Sequence, residues 1–255
     1  MKICELYDRL CEKIPPSLSC SWDNDGLMCC PDREAEVKKV LVALDVTGAV
    51  VREAIDGGYD AVVSHHPLIF DPIKAIDPAD HVAKKAIDLL RANVTVMSFH
   101  TRLDAVAGGV NDTLAARLGL CDTSPFGADG EEIGRVGSLA SPMSLSAFAE
   151  LLKTALGAPT VEVSDAGRPV SRVAVLGGSG SDDVLAARAA GADTYVSGEL
   201  KHSWLTDAPD LGINLVAAGH FYTEDPVCET LKAWILEIDP TLTVAVTNSH
   251  PARFV

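Results

Sequence analysis

Two adjacent histidines, His65 and His66, follow a β-branched apolar run that is typical of a buried strand. Pro67 cannot donate a hydrogen bond to a neighbouring strand, so the strand is predicted to end at the histidines. Pro67 also favours an extended backbone at His66, and adjacent extended residues point to opposite sides. Each of the two imidazoles could therefore contact a different one of two neighbouring ligands. For an isolated pair, a hydrogen-bonded strand end would be the simpler explanation, so the rest of the sequence decides.

The chain is large and apolar enough to fold around a core of its own. Of its 255 residues, 47% are hydrophobic, so folding requires neither disulfides nor a metal ion. The formal net charge of −15 argues against sequence-independent binding of nucleic acid, which requires a cationic surface. The same charge suits a protein that collects cations.

The sequence has no segment that is typical of membrane insertion or secretion. No apolar run approaches the roughly 20 residues that span a bilayer. Residues 1–6 lack the apolar core of a signal peptide. We therefore expect a cytoplasmic protein that does not bind membranes.

The region around the paired histidines predicts a β-α-β unit. Its parts are a strand at 39–44, a helix at 47–55 and a strand at 61–64, and the two strands should be parallel. A helix near 79–91 then leads into another apolar strand, which ends in His100-x-x-x-Asp104. The strands before His65 and before His100 therefore deliver polar side chains from their carboxyl ends.

A similar order returns in the second half of the chain. Residues 39–67 align without a gap with residues 172–200, and a later strand ends in His220-x-x-x-Glu224, with the spacing of the first half. This coincidence of order, spacing and residue type predicts an internal duplication. We predict an α/β fold in which duplicated β-α-β halves, residues 1–125 and 171–255, form a layered domain. Residues 126–170 are predicted to form a small α+β insertion.

The strand ends supply a set of candidate metal ligands, because ligands of open α/β sheets collect at the carboxyl ends of the strands. The residues predicted to converge there are His65, His66, Asp104, His220 and Glu224. Imidazole and carboxylate without thiolate suit zinc, manganese, iron or nickel. Five ligands exceed what one catalytic zinc takes, so we predict two divalent ions about 3.5–4 Å apart. His100 is interpreted as a hydrogen-bonded residue and kept as an alternative ligand.

Two further polar residues are candidates for catalysis. Glu199 and His202 fall where the duplication puts the histidines of the first half. Each could act as a general acid or base, or could orient a ligand.

Two loops allow both a functional and a structural interpretation. The glycine-rich stretch 177–180 could hold a phosphate on its amides, but it lacks the lysine of a Walker motif and could equally be a tight connector. Asp23 and Asp25 lie in a turn-forming stretch. Trp22 and Leu27 could anchor this loop to the core, or the acidic pair could lie in the second shell of a cation.

Six motifs carry a resemblance to a known family over essentially the whole chain. They are SWDNDGL (21–27), VVSHHPLIF (62–70), HTRLDAVAGGVNDTLA (100–115), GGSG (177–180), SGELKH (197–202) and AAGHFYTE (217–224). In this order they resemble the GTP cyclohydrolase 1 type 2 family, also called NIF-three-like proteins. The resemblance implies a dinuclear metal site on the five candidate ligands and a ring-shaped, toroidal homohexamer. Arg102 and Cys30 depart from the family pattern, and Arg102 is expected to add a positive charge beside the metals.

The leading hypothesis is a dinuclear metal-dependent hydrolase acting on a nucleotide-like small molecule. Two ions would lower the pKa of a water molecule that attacks an electrophilic carbon or phosphorus. The family name implies that the substrate is GTP, opened by water at C8 of its imidazole ring. No residue selects a purine, however. The alternative is a metal-binding regulatory or metal-handling protein without catalytic activity.

Overall fold

The computed structural model describes residues 1–128, 130–247, 250 and 252, which belong to two compact units. Unit 1 consists of Met1–Leu103 and Cys228–Val255, and unit 2 of Asp104–Val227. Within the described residues, no helix is both long enough and apolar enough to cross a bilayer.

Helices and strands alternate along most of the chain. The helices are α1 (Ile3–Lys13), α2 (Gly48–Asp56), α3 (His81–Arg91), α4 (Thr101–Ala105), α5 (Val110–Arg117), α6 (Leu145–Leu156), α7 (Val184–Ala189), α8 (His202–Leu211), α9 (His220–Glu224) and α10 (Val227–Ile238). The strands are β1 (Gly26–Cys29), β2 (Lys39–Ala43), β3 (Ala61–Ser64), β4 (Thr95–Ser98), β5 (Cys121–Phe126), β6 (Gly134–Met143), β7 (Glu162–Ser164), β8 (Val170–Ser179), β9 (Thr194–Glu199), β10 (Asn214–Ala217) and β11 (Thr243–Val246).

Unit 1 is built on a mainly parallel sheet with strand order β1-β4-β3-β2-β11. Strands β11, β2, β3 and β4 are parallel, and β1 is antiparallel to β4. The predicted strand, helix and strand of residues 39–66 are confirmed as β2, α2 and β3, with the predicted parallel pairing. Helices α2 and α3 bury Val50, Val51 and Leu89 in one apolar cluster with Leu41 and Val62 of the sheet.

Side-chain caps start the two helices that cover this sheet. The Thr47 side chain accepts a hydrogen bond from the backbone N–H of Val50 at the start of α2. The Asp80 side chain accepts from Val82 and Ala83 at the start of α3. These caps satisfy N–H groups that have no partner within the helix. They therefore fix where each helix begins after its strand.

Unit 2 is built on a mixed sheet with strand order β5-β6-β8-β9-β10-β7. Strands β8, β9 and β10 are parallel, while β6 and β7 are antiparallel to their neighbours β8 and β10. Alternate residues of β8 enter different apolar clusters: Val173 packs in a cluster with α5 and α6, and Ala174 in a cluster with α7 and α8. Because alternate strand residues point to opposite faces, helices cover both faces of this sheet. The layered α/β class is thus confirmed.

The segment predicted as an insertion supplies strands to the sheet of unit 2. It contains β6, α6 and β7, in agreement with the predicted mixture of helix and strand. Strand β6 pairs with β8, and β7 pairs with β10. The predicted domain boundaries at residues 126 and 170 stay a prediction.

Each unit contains one aspartate that accepts hydrogen bonds from the backbone at the start of a strand. The two aspartates, Asp60 and Asp193, occupy positions that the sequence alignment matches. The Asp60 carboxylate accepts two backbone N–H groups at the start of β2, both at 2.8 Å. The Asp193 carboxylate accepts the corresponding N–H groups of Ser171 and Arg172 at the start of β8, at 3.1 and 2.8 Å. The internal duplication stays a prediction, which this repetition supports.

Replacing Asp193 with alanine should lower the free energy of unfolding by about 1–3 kcal/mol, because partly buried N–H groups lose a charged acceptor. Urea titration measures the change. Asp56→Ala, at an exposed position of α2, is the control and should change stability by less than about 0.5 kcal/mol. Equal stability of the two variants would contradict a structural role for Asp193.

Candidate metal centre

Three imidazoles of unit 1 form a cluster where β3 and β4 end. The ring centroids of His65 and His66 lie 4.8 Å apart, and the His100 ring lies 5.3 Å from His65 and 5.7 Å from His66. One nitrogen of each ring lies within 4.8 Å of one nitrogen of each of the others. These three residues could therefore contribute to holding a metal ion.

The backbone of the next strand orients the His65 ring. His65 is fully buried, and its Nδ1 lies 2.9 Å from the carbonyl oxygen of Phe99. A carbonyl oxygen only accepts hydrogen bonds, so Nδ1 carries the proton. In the neutral ring the lone pair is then on Nε2, which is the nitrogen that a metal would use.

Carboxylates hold the other two rings of the cluster in the same way. His66 Nδ1 lies 2.7 Å from Oδ1 of Asp45, and His100 Nδ1 lies 2.8 Å from Oδ1 of Asp23. A carboxylate on the second nitrogen fixes the orientation of a metal-binding imidazole and raises its basicity. Asp45 lies two positions after the end of β2 and was missed by the sequence analysis. Its place after a strand was the signal that could have found it.

Asp23 is a preorganised acceptor for the His100 segment. Its Oδ2 also accepts the backbone N–H of Thr101 at 3.0 Å and the Thr101 hydroxyl at 2.6 Å. Burial by itself would raise the pKa of Asp23, but hydrogen bonds from His100 and Thr101 outweigh burial and lower the pKa to about 2. Trp22 does not anchor this loop to a core, because 60% of its surface is exposed.

Arg102, which departs from the family pattern, is buried inside unit 1 with only 1% of its surface exposed. Its Nε donates to Oδ2 of Asp25 at 2.9 Å, and Nη1 donates to the carbonyl of Ile14 at 3.3 Å. Asp25 thus pairs with the positive charge of Arg102, and the effect of this charge on the metals stays a prediction. At the other departure, the half-buried Cys30 accepts a weak hydrogen bond from Thr95.

Unit 2 contains a second group of candidate ligands at the start of α9. His220 Nε2 lies 3.0 Å from Oε2 of Glu224, one helical turn further on. The carboxylates of Glu224 and Asp104 also have oxygens within 4.8 Å of each other. His220 Nδ1 lies 3.1 Å from Oε1 of Glu199, so this imidazole is held as those of unit 1 are. The other catalytic candidate, His202, is exposed at the first position of α8.

The glycine-rich stretch 177–180 is a close connector beside Glu224. The amide of Gly177 donates to Oδ1 of Asn111 at 2.8 Å, and the amide of Gly178 donates to the Thr223 hydroxyl at 3.1 Å. These two amides therefore serve internal hydrogen bonds rather than a phosphate. A Cβ at Gly178 would overlap Oε1 of Glu224, so glycine is required for the close approach.

The chain is similar to proteins of known sequence and structure over its full length. The sequence profile of Duf34/NIF3 (NGG1p interacting factor 3) matches residues 1–251. A Clostridium perfringens protein named GTP cyclohydrolase 1 type 2 homolog is 33% identical over 264 residues, and the alignment covers 100% of both chains. A crystal structure of a hypothetical Staphylococcus aureus protein matches with a TM-score of 0.89 at 28% identity, covering 100% of this chain and 99% of that one. A Bacillus cereus protein related to NIF3 shares the fold, with a TM-score of 0.91 at 24% identity and the same coverage.

The fold and side chains define a class: a layered α/β protein that carries groups of candidate histidine and carboxylate metal ligands. Within that class, the chain belongs to the Duf34/NIF3 family. The resemblance inferred from the six sequence motifs is therefore confirmed.

Replacing Gly178 with alanine should displace the carboxylate of Glu224, a candidate metal ligand, and lower the metal content of protein loaded with zinc or manganese. Gly178 and Gly212 both have a φ of +67°, so alanine brings a similar backbone strain of about 1–2 kcal/mol at either position. Only at Gly178 does the new Cβ meet Glu224, because nothing lies within 4 Å at Gly212. We expect elemental analysis to show less bound zinc or manganese for Gly178→Ala and an unchanged amount for Gly212→Ala. Equal metal contents would contradict the importance of this close approach.

Proposed function

We propose that this chain is a dinuclear metal-dependent hydrolase whose substrate is a nucleotide-like small molecule. The observation that supports this proposal most directly is the hydrogen bonding of four imidazoles at Nδ1. His65, His66, His100 and His220 each have an oxygen acceptor at Nδ1, an arrangement that is almost universal for metal-binding histidines. The name of the relatives, GTP cyclohydrolase 1 type 2 homolog, makes GTP the first substrate to test.

We propose that the two ions are held by His65, His66, Asp104, His220 and Glu224. His100 is the alternative ligand. The donor types fit zinc, manganese, iron or nickel, because these metals accept both imidazole nitrogen and carboxylate oxygen. When bound, the two ions would supply Lewis acidity and lower the pKa of a water molecule. The ring-shaped homohexamer implied by the sequence resemblance is part of the same proposal.

Glu199 and His202 are the proposed proton-transfer residues. The Glu199 carboxylate accepts from His220 Nδ1, so it fixes the tautomer of that ring. Half of its carboxylate remains available to a second donor, because Oε1 alone makes this contact. His202 is exposed at the start of α8 and can exchange protons with solvent. A general acid or base in either role contributes about 10²- to 10⁴-fold to the rate.

Turnover by metal-loaded protein is the direct test of this function. The protein is loaded with manganese or zinc and assayed against GTP, other nucleotides and simple phosphoesters. We expect about two ions per chain by elemental analysis and turnover of at least one nucleotide that His65→Ala abolishes. His81→Ala, at the exposed start of α3, is the matched histidine control and should retain both. Two tightly bound ions without any turnover would favour the alternative, a regulatory or metal-handling protein.

The Asp45 carboxylate, which accepts from Nδ1 of His66, should strengthen metal binding although it is not itself a proposed ligand. Asp45→Ala is expected to weaken metal binding by about 10- to 100-fold, the usual effect of removing a partner of a ligating histidine. Asp45→Asn keeps an oxygen acceptor for Nδ1 and should lose less. Competition with a fluorescent chelator measures both affinities. An Asp45→Ala protein with wild-type affinity would show that His66 is not a ligand held by this hydrogen bond.

A further inference from the structure

Two aromatic side chains are exposed next to the imidazole cluster of unit 1. Trp22 is 60% exposed and Phe70 is 49% exposed, although both rings are large and apolar. Their centroids lie 6.3 Å apart at an interplanar angle of 64°. The two rings thus form an open corner, in which a flat ring stacked on one of them would present its edge to the other.

The corner is continuous with the imidazole cluster. The His100 ring lies 6.2 Å from Trp22 at 80° and 5.8 Å from Phe70 at 82°, so it meets both rings edge to face. The same His100 ring is 5.3 Å from His65. A ring bound in the corner would therefore lie close to the candidate metal ligands of unit 1.

Hydrogen bonds fix the two loops that carry these aromatic residues. Asn24 Nδ2 donates to the carbonyl oxygen of Ile69 at 2.6 Å, which joins the loop of Trp22 to the loop of Phe70. Asp23, adjacent to Trp22, holds His100 at 2.8 Å. The exposed rings are therefore held by ordered backbone, and a ligand would lose little affinity to ordering them.

A cavity of ligand size begins at Phe70. It has a volume of about 660 Å³, and Pro67 and Phe70 are among its lining residues, within the range of small-molecule sites. Its lining includes two lysines, Lys74 and Lys85, and three aspartates, Asp71, Asp77 and Asp80. Asp80 caps α3 and accepts its first N–H groups, so these amides are not available to a phosphate. The lining therefore does not favour a polyanion.

The exposed aromatic area suits a single ring system better than a second protein chain. A Trp or Phe side chain presents about 150–250 Å², so the exposed fractions leave on the order of 250 Å² on the two rings together. A specific protein interface needs about 800 Å² from each partner. One flat heteroaromatic ring matches the smaller area and the open corner.

We propose that Trp22 and Phe70 form a stacking site for the heteroaromatic ring of a nucleobase, next to the imidazoles of His65, His66 and His100. This inference rests on the proposed function and specifies which part of the substrate unit 1 recognises. Recognition is by the flat ring, so a nucleoside without phosphates should bind through the same two side chains as the nucleotide.

The test is calorimetric titration of the full-length protein, both manganese-loaded and metal-free, with guanosine, GTP and ribose 5-phosphate. The metal-free wild type should bind guanosine more tightly than ribose 5-phosphate. Trp22→Ala and Phe70→Ala should each weaken guanosine and GTP binding by a similar factor of about 5 to 100, as expected for loss of base stacking. Trp22→Phe should retain part of the affinity. Ile76→Ala, which removes a 73% exposed side chain from the same loop region, should bind as the wild type does.

Several outcomes would overturn this inference. They are guanosine binding that is unchanged in both alanine variants, guanosine binding to metal-free wild type that is no tighter than ribose 5-phosphate binding, and a loss confined to GTP. A Trp22→Ala chain whose sedimentation shows a smaller assembly, with unchanged guanosine affinity, would assign the corner to an interface between copies instead. Metal content is measured in parallel. A wild type that binds guanosine through Trp22 but holds no metal would refute the proposed hydrolase and leave the stacking site standing.

Discussion

Hydrogen bonds to Nδ1 are the interactions on which the candidate metal centre depends. A neutral imidazole has one N–H group, and the acceptor to which this group donates decides which nitrogen keeps the lone pair. In unit 1 the acceptors are a backbone carbonyl for His65 and carboxylates for His66 and His100. Phe99 and Asp45 follow the parallel strands β4 and β2, and Asp23 precedes the antiparallel β1, so the sheet itself orients the rings. Because neighbouring β-strands and their loops supply the acceptors, the rings are oriented without a bound ion.

Sequence reasoning predicted the parts of this arrangement that depend on local pattern. The run before His65, the helix before it and the parallel partner strand were all found, because apolar periodicity and Pro67 mark them along the chain. The partner of His66 was not found, because Asp45 is 21 positions away and only the pairing of β2 with β3 brings it close. Predicting it requires the register of the sheet as well as the existence of the strands.

The sequence also did not predict which side chains in and around the loop at residues 21–28 are exposed and which are buried. An apolar residue in a loop usually indicates an anchor to the core, yet Trp22 is exposed, whereas the charged Arg102 is buried against Asp25. Both reverse the ordinary preference, and each reversal has a local cause. Asp25 makes burial of the guanidinium tolerable by pairing with it, and Asp23 ties the same loop to His100. The loop is therefore held by its carboxylates, which leaves its tryptophan available for contact with other molecules.

The net charge of the chain affects the binding of phosphates and the stacking of a base differently. The chain has a formal net charge of −15, and the lysines around the cavity beside Phe70 are balanced by aspartates. Phosphates would be repelled by such a surface in the absence of bound cations. Stacking of a base on an aromatic ring depends little on net charge, because it relies on contact between flat apolar faces. Under the proposed function, divalent ions would supply the positive charge for the phosphates and Trp22 the surface for the base. Removing the ions should then weaken triphosphate binding far more than nucleoside binding, since only the first depends on added positive charge.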